Sequence, residues 1–298
     1  MPRIICFANM KGGVGKTTLC VNLAFTVFME GKKVLVVDND PQFNATMALM
    51  KPQTYIDNVL KNKEQKTIYD IYEKPPRILG EKKKKIKPQE FFVKTWYMTN
   101  DPKTRMNLIA SRIDLYDTLR NPSQKEYLLD NFLKKYAQDY DYIFIDCPPT
   151  PSVLTVSAFA ASNYVLIPVT PGYFSTIGLP QFLGTLYTFK EDLNDSHNIR
   201  PLGVIFTNVP RVQTPDTLQA MKQVEESLIE SPDDKIPVFT SKLSHFKVLE
   251  KCIWQAVPVH RISGRGQRGK SLAMAELGAI VKEMEEQITL LEKPSDGK

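Results

Sequence analysis

The chain of 298 residues is poor in cysteine and has no paired cysteine motif. Its four cysteines are Cys6, Cys20, Cys147 and Cys252, and no two of them form a C-x-x-C pair. Because they lie on apolar segments, we interpret them as buried free thiols. This pattern argues against disulfide bonds and against metal ligation by cysteine.

Long hydrophobic runs are also missing. No apolar stretch approaches the roughly 20 residues that a membrane-spanning helix needs. The amino terminus leads directly into a predicted strand, which leaves no room for a signal peptide. Internal repeats and an interdomain linker are not evident either. We therefore expect a cytoplasmic protein that does not associate with a membrane.

The composition is that of an ordinary globular protein, with 42% hydrophobic and 24% charged residues. A chain of this kind can bury a sizeable core. Lysine and arginine number 39 against 33 aspartate and glutamate residues, which gives a formal net charge of +6. A positive net charge of this size slightly favours a polyanionic partner.

A glycine-rich stretch near the amino terminus organises the rest of the chain. Residues 9–18 read Asn-Met-Lys-Gly-Gly-Val-Gly-Lys-Thr-Thr, between a short apolar run and a helical segment at 19–29 that Gly31 can close. A strand, a glycine-rich turn with Lys-Thr and a helix form the context of a phosphate-binding loop. Backbone N–H groups and the helix amino terminus can bind phosphate there. Lys16 can reach the β and γ phosphates, and the Thr17 hydroxyl can bind magnesium.

Lys11 provides a second lysine in the same loop, five positions before Lys16. With this lysine, the stretch resembles the deviant phosphate loop of the ParA/MinD ATPases. The resemblance implies that Lys11 crosses a dimer interface and contacts the nucleotide of the partner subunit. The predicted nucleotide-binding residues of the loop are Lys11, Gly12, Gly13, Val14, Gly15, Lys16, Thr17 and Thr18.

A second predicted strand, 33–38, ends in an acidic segment, and residues 38–42 read Asp-Asn-Asp-Pro-Gln. Ligands of open α/β sheets bind at the carboxyl ends of the strands. The segment resembles switch I of the ParA family, in which the second aspartate orients the attacking water, a role that falls on Asp40. Phe43 stands where many members have glycine, which we interpret as tolerated variation.

Another predicted strand, at 142–145, ends in Asp146, and two prolines begin at Pro148. An apolar strand closed by an aspartate is a Walker B pattern, so Asp146 can hold magnesium through water. The prolines resemble switch II of the same family. The predicted switch residues are Asp38, Asp40, Pro41, Gln42, Asp146 and Pro148.

Asn208 ends the predicted strand 201–208. It resembles the asparagine that hydrogen-bonds the adenine edge in these ATPases. The alternative is that Asn208 only starts the turn before Val209-Pro210.

The interval from about 51 to 105 is difficult to interpret, and it looks longer than in compact relatives. We expect it to contain an insertion in a surface segment. Its lysine run, 82–85, has two interpretations. It either forms a solvated face or a mobile loop, or it contacts DNA or a partner.

The chain is basic from Lys242 onward, and the interleaved glycines 264, 266 and 269 predict a loop there. A terminal helix is predicted at 271–291, followed by a frayed tail at 293–298. The basic side chains either bind DNA phosphates or only keep the surface soluble. The candidate DNA-binding residues are Arg211, Lys242, Lys247, Lys251, Arg265, Arg268 and Lys270.

Strands alternate with helical stretches throughout the chain, so one doubly wound, mostly parallel α/β domain of the P-loop NTPase class is predicted over residues 1–292. The remaining predicted elements are strands at 4–8, 106–110, 164–169 and 237–240, a helix at 122–136 and a helix that includes Ser175, Gly178 and Leu179.

The family resemblance implies a Mg²⁺- and ATP-dependent partition ATPase. Such a protein forms an ATP-sandwich homodimer, binds duplex DNA without sequence preference and hydrolyses ATP faster when a ParB-like partner engages it. The cargo is a plasmid, a chromosome origin or a protein assembly. The candidate catalytic residues are Lys11, Lys16 and Asp40.

Two alternatives belong to other functional classes. A MinD-like membrane-positioning ATPase needs a basic amphipathic tail, whereas residues 291–298 read Leu-Glu-Lys-Pro-Ser-Asp-Gly-Lys. A metal-cluster carrier needs paired cysteines, whereas Cys147 is alone.

Overall fold

The computed structural model describes residues 1–62, 64–73, 87–95, 104–192, 199–229, 236–255, 257–262 and 267–293. The strands of these residues form one seven-stranded sheet in the order β3-β4-β2-β5-β1-β6-β7. They are β1 (Arg3–Phe7), β2 (Val34–Asp38), β3 (Val93–Lys94), β4 (Met106–Ile109), β5 (Tyr142–Asp146), β6 (Tyr164–Val169) and β7 (Arg200–Phe206). All neighbouring strands are parallel except β3, which runs antiparallel to β4. The predicted doubly wound, mostly parallel α/β class is confirmed.

The helices of the described residues connect these strands in chain order. They are α1 (Lys16–Met29), α2 (Asn44–Leu49), α3 (Pro52–Tyr55), α4 (Tyr69–Tyr72), α5 (Tyr116–Arg120), α6 (Leu128–Tyr136), α7 (Val153–Ala161), α8 (Tyr173–Asp192), α9 (Pro215–Ile229), α10 (Lys247–Gln255) and α11 (Gln267–Glu292). A π-helical turn at Ile56–Leu60 and 3₁₀ turns at Pro88–Glu90, Ile113–Leu115 and Val259–Arg261 complete the set. None of the described helices has the length and apolar character needed to cross a bilayer.

Helices cover both faces of the sheet, because strand side chains alternate between two hydrophobic clusters. On β1, Ile5 and Phe7 belong to one cluster, whereas Ile4 and Cys6 belong to the other. The first cluster includes residues of α1, α2, α10 and α11, and the second includes residues of α6, α7, α8 and α9. Burial on both faces explains why the central strands are almost entirely apolar in sequence. The four cysteines are buried free thiols, as predicted.

The predicted strands at 4–8, 33–38, 106–110, 142–146, 164–169 and 201–208 are confirmed within a residue or two at their ends. The predicted strand at 237–240 is wrong, because this segment makes a single bridge to β7, between Val204 and Val238. The backbone amides of Thr240 and Ser241 instead donate to the Glu283 carboxylate of α11, at 2.7 and 2.8 Å. The short antiparallel edge strand β3 was not predicted.

Two helix predictions differ from the structure. The predicted helix 122–136 begins only at Leu128, because Lys125 is buried and pairs with Glu73 of the segment after α4. The terminal helix begins at Gln267, so the predicted loop is wrong for residues 267–270, and Gly269 is tolerated in the first helical turn. The helices α2, α3, α4, α5, α7, α9 and α10 were not predicted.

Several sequence-based expectations lie outside the described residues. The lysine run 82–85, Arg265, glycines 264 and 266, and residues 294–298 belong to this group. The single-domain boundary at 292 and the insertion at about 51–105 stay predictions.

Candidate nucleotide site

The glycine-rich loop connects β1 to α1 at the carboxyl end of the sheet. Gly13 and Gly15 have φ angles of 74° and 80°, in the left-handed region that disfavours residues with a Cβ atom. The first helical hydrogen bond runs from Leu19 N to Gly15 O at 2.8 Å. Glycine at these two positions therefore lets the chain turn directly from the strand into the helix. At the other end of α1, Gly31 has a φ angle of 88° and closes the helix as predicted.

Two side chains at the end of β7 hold this loop. The Thr207 hydroxyl is buried and donates to Val14 O at 2.6 Å. The Asn208 side-chain amide donates to Gly13 O at 3.3 Å, and Asn208 itself has a left-handed φ of 52°. Sequence reasoning missed Thr207, although a polar residue at the carboxyl end of a buried strand is the signal that identifies it. The adenine contact of Asn208 stays a prediction.

Asn9 ties the start of the loop to β6. Its side-chain amide donates to Pro168 O at 2.8 Å, and its Oδ1 accepts a hydrogen bond from Lys11 N at 2.9 Å. The loop is thus attached to β6 through Asn9 and to β7 through Thr207. The sequence stretch 9–18 includes Asn9, but its spacing alone does not indicate an anchoring role.

Lys16, the first residue of α1, is almost completely buried. Its ammonium donates to Lys11 O at 3.0 Å, across the loop. Burial lowers the pKa of Lys16, and the negative charges of Asp146 and Asp40 oppose that shift. Lys16 is thereby a positive charge held inside the loop and close to two carboxylates. Lys11 lies half-buried in the loop.

Asp146, at the end of β5, faces the first turn of α1. The Thr17 hydroxyl donates to Asp146 Oδ2 at 2.6 Å. The other carboxylate oxygen, Asp146 Oδ1, is buried and has no hydrogen-bond partner among the described residues. Burial raises the pKa of Asp146, and the neighbouring Asp38 and Asp40 raise it further. A buried carboxylate with an unpaired oxygen beside a hydroxyl fits a hard divalent cation such as Mg²⁺.

Magnesium is commonly held by one or two protein oxygens together with water and phosphate. Within the described part of the chain, no group of three or more His, Cys, Asp or Glu side chains is arranged as a metal site. The Thr17–Asp146 pair offers one hydroxyl oxygen and one carboxylate to such an ion.

The acidic segment after β2 forms a tight, buried turn. The backbone amide and the hydroxyl of Thr46 both donate hydrogen bonds to Asp38 Oδ2, each at 2.7 Å. Burial raises the pKa of Asp38 to about 7, although the Thr46 hydrogen bonds oppose the shift. Asp40 Oδ1 accepts a hydrogen bond from Gln42 N at 2.9 Å, and burial raises the pKa of Asp40 as well. Pro41 is buried within this turn.

The two predicted switch segments meet at the centre of the sheet. The strands β2 and β5 are neighbours, and Asp38 pairs with Asp146 in the register. Pro148, which follows, is buried. Of the predicted switch residues, Gln42 points outward, and its side-chain amide donates to the Tyr116 hydroxyl.

Phe43 adopts a left-handed backbone conformation, with a φ angle of 46°, immediately before α2. This region is unfavourable for a bulky residue and costs glycine little. The Phe43 ring stacks on Tyr55, with centroids 5.5 Å apart and planes 10° from parallel. Ring stacking therefore accompanies the strained backbone at the position where the family pattern has glycine.

Three of the candidate DNA-binding residues lie near one another along the end of β7. The segment 242–246 runs beside the residues after β7, with hydrogen bonds from Leu243 N to Phe206 O at 2.9 Å and from His245 N to Val209 O at 2.8 Å. The Arg211 guanidinium lies 5.7 Å from the centre of the Phe246 ring. This packing brings Arg211 close to the segment that contains Lys242 and leads into Lys247.

The basic candidates on helices belong to two neighbouring helices, α10 and α11. Lys247 and Lys251 are exposed and one turn apart on α10, which packs against α11. On the first turn of α11, Arg268 is exposed, whereas Lys270 is half-buried and donates to Ile262 O at 2.8 Å. Lys270 therefore also has a structural contact, and Arg265 lies outside the described residues.

Comparison with known proteins gives consistent matches. A family model described as an AAA domain matches residues 2–199. The sporulation initiation inhibitor protein Soj of Bacillus subtilis is 35% identical over 210 residues, covering 70% of this chain and 73% of that protein. The chromosome-partitioning ATPase Soj of Treponema pallidum is 30% identical over 227 residues, covering 75% of this chain and 78% of that protein.

A solved structure of pNOB8 ParA has the same fold, with a TM-score of 0.74, 22% identity and coverage of 98% of this chain and 100% of that chain. The structure of pNOB8 ParA bound to nonspecific DNA matches with a TM-score of 0.70 and 22% identity, over 97% of this chain and 99% of that chain. At 22% identity, these two structural matches show a shared fold.

Proposed function

Since the chain belongs to the Soj/ParA family of partition ATPases, we propose that it binds and hydrolyses ATP with magnesium and uses this cycle to position DNA. The resemblance noted in the phosphate loop is confirmed at the level of the family. The observation that carries the proposal is the arrangement of Lys16, Thr17 and Asp146 beneath the glycine-rich loop. P-loop NTPases use a lysine to bind the phosphates, and a hydroxyl and an aspartate to hold magnesium.

Lys16 is already desolvated before a nucleotide binds. Its ammonium donates to the Lys11 carbonyl. A phosphate oxygen could take the place of this carbonyl as the acceptor, and it carries more negative charge. Little further desolvation of the ammonium is then needed, which favours phosphate binding. The same charge stabilises the negative charge that spreads over the phosphoryl oxygens in the transition state.

Thr17 and Asp146 would hold the magnesium ion, Asp146 through water. When bound, this ion neutralises charge on the phosphate oxygens. In this proposal Asp146 stays ionised in its complex, because the cation favours the carboxylate form that burial alone disfavours.

Asp40 is proposed to orient the attacking water. Its backbone is fixed in the turn after β2, and Gln42 N holds one carboxylate oxygen. Because burial raises the pKa of Asp40, this carboxylate is a better proton acceptor than an exposed one. Lys11 is proposed to complete the site of a partner subunit, so a monomer would lack part of the catalytic charge.

Nonspecific DNA is the proposed polyanionic partner. The net charge of +6 and the exposed Arg211, Lys247 and Lys251 support this proposal. The structural match to pNOB8 ParA bound to nonspecific DNA points the same way. A ParB-like protein that accelerates hydrolysis and an association with the nucleoid complete the proposal by family resemblance.

The test is the separation of ATP binding from ATP turnover. Lys16→Ala should abolish nucleotide binding, because the loop loses its buried cation. Asp40→Ala should bind ATP normally and lose turnover. Equilibrium titration with ATP and a phosphate-release assay measure the two quantities.

Lys33→Ala is a matched control, because Lys33 pairs with Asp139 before β2, at the opposite end of the strands. It should leave both quantities unchanged. Normal ATP affinity in Lys16→Ala would contradict the placement of the phosphate site. A liposome flotation assay addresses the membrane-positioning alternative, which no contact of the described residues favours.

A further inference from the structure

A buried hydrogen-bond network joins the turn after β2 to the end of β4. Asp38 Oδ2 accepts from the Thr46 hydroxyl, and the Thr46 oxygen accepts from Ser111 N at 2.9 Å. The Ser111 hydroxyl donates to the backbone carbonyl of Asp40 at 2.8 Å. The chain of contacts therefore begins and ends on the segment that runs from β2 to α2, and Ser111 is the one of these four residues that lies outside that segment.

The members of this network are shielded from solvent. Asp38, Thr46 and Ser111 are each 0% exposed, and Asp40 is 6% exposed. Water cannot reach a hydroxyl at this depth to replace a lost hydrogen-bond partner. Loss of the hydrogen bond between Ser111 and Asp40 would therefore leave a buried polar group unsatisfied, at a cost in free energy. The same burial means that Ser111 cannot contact a bound nucleotide.

The Asp40 carbonyl accepts two hydrogen bonds. One comes from Phe43 N at 2.9 Å, within the turn itself, and the other comes from Ser111. The local bond closes the turn but does not fix it relative to the sheet. The Ser111 bond instead connects the Asp40 carbonyl to the segment that directly follows β4, the neighbour of β2.

We propose that Ser111 is a positioning residue for ATP hydrolysis, holding the Asp40 main chain so that the carboxylate meets the attacking water. This inference rests on the proposed function and extends it to a residue that the phosphate-loop and switch patterns do not include. Small displacements of a catalytic group reduce rates strongly, by as much as about 100-fold for 1 Å. Loss of the Ser111 hydroxyl should therefore reduce turnover and leave ATP binding intact.

The experiment compares three variants with the wild type. Ser111→Ala removes the hydroxyl, and Ser111→Cys fills the space with a group that is only a weak donor. Ser162→Ala is the matched control, because Ser162 is a buried serine at the end of α7 whose hydroxyl donates to Ala158 O at 2.7 Å. All three variants lose one buried hydroxyl bond to a backbone carbonyl.

Two measurements are made on each protein. Hydrogen exchange of the peptide spanning residues 38–47, without nucleotide, reports whether the turn has loosened. Steady-state kinetics and equilibrium titration report kcat and the Kd for ATP. We expect faster exchange and a kcat lowered by about 10- to 100-fold in both Ser111 variants, with the Kd changed by less than about twofold. Ser162→Ala should match the wild type in hydrogen exchange at residues 38–47, in kcat and in the Kd for ATP.

Unchanged exchange at residues 38–47 in Ser111→Ala would overturn the proposal. So would a normal kcat in Ser111→Cys, since volume rather than the hydrogen bond would then matter, or an equal loss of kcat in Ser162→Ala. If the wild type itself had no ATPase activity, the proposed function would fail. The exchange comparison would still decide whether Ser111 holds the Asp40 turn.

Discussion

Single residues outside the phosphate loop determine its shape. The Thr207 hydroxyl donates to Val14 O, and Thr207 Cβ lies 3.7 Å from the position that a Cβ on Gly15 would occupy. Thr207 therefore contacts the loop at its two central residues. Because Thr207 is buried, no water can replace its hydroxyl as the donor to Val14. The predicted phosphate loop is thus contacted by a side chain almost 200 residues away in the sequence.

Thr207→Val should weaken ATP binding. The change keeps the shape of the side chain but leaves the Val14 carbonyl without this buried donor, at a cost of about 1–3 kcal/mol. If the cost falls on the loop conformation that binds phosphate, the Kd for ATP should rise by roughly 5- to 150-fold. Isothermal titration with ATP and magnesium measures the change.

Thr95→Val is the control for this prediction, because the buried Thr95 hydroxyl donates to Met106 O at 2.9 Å, at the start of β4. Thr207→Ser should restore most of the affinity, since it keeps the donor. An unchanged Kd in Thr207→Val would show that the loop holds its conformation without this bond.

At the scale of elements, the sequence predicts the parts of the fold that depend on local patterns. The central strands and α1 follow from apolar runs and from the loop motif, and the two acidic turns follow from the positions of Asp38 and Asp146. The strand predicted at 237–240 makes only one bridge to β7 among the described residues, and at its end the backbone amides of Thr240 and Ser241 donate to the distant Glu283 instead. Ser111 was missed because its partners are distant in sequence, whereas Thr207 was missed although it stands at the polar end of a buried strand. The roles of Lys11, Asp40 and Asn208 depend on a nucleotide and stay predictions.

Glu283 of α11 also holds the segment at Thr240 and Ser241 through hydrogen bonds. Three donors of Thr240 and Ser241 reach its carboxylate. Partial burial alone would raise the pKa of Glu283, but these hydrogen bonds stabilise the carboxylate and lower it overall. A lowered folded-state pKa adds stability above the ordinary value of 4.5, and this stability is lost as the pH falls through the folded-state pKa.

Glu283→Ala should therefore lower the free energy of unfolding at pH 7 by about 1–3 kcal/mol, because several charge-assisted hydrogen bonds are lost. The difference between wild type and variant should shrink as the pH falls below 4.5. Urea unfolding at a series of pH values measures it. Glu286→Ala is the control, because Glu286 is exposed on the same helix and only approaches Lys282 at 4.0 Å. A pH-independent difference would mean that the Glu283 charge contributes nothing.

At the scale of the whole molecule, the proposed ATP and DNA sites are connected through β7. Its end supplies Thr207 and Asn208 to the phosphate loop, and the residues that follow lead to Arg211. The segment 242–246 lies beside them and leads into α10, where Lys247 and Lys251 are exposed. In the proposed function, a nucleotide in the phosphate loop would therefore bind to a loop that is held by the same strand that leads to the basic residues. If ATP also pairs two subunits, two basic clusters act together and the effective concentration for the second contact rises.

DNA binding by these lysines should be visible in its salt dependence. With ATP present, the logarithm of the association constant for random-sequence duplex should fall linearly with the logarithm of salt concentration. Lys247→Ala combined with Lys251→Ala removes four positive charges from a dimer, so the slope should become shallower by up to about 3.6, at roughly 0.9 for each phosphate contact. Fluorescence anisotropy at several salt concentrations measures both slopes. The matched control replaces Lys134 and Lys222, which are exposed lysines on α6 and α9, and it should keep the wild-type slope. An unchanged slope in the Lys247 and Lys251 variant would exclude α10 from the DNA contact and direct the search to the lysine run at 82–85.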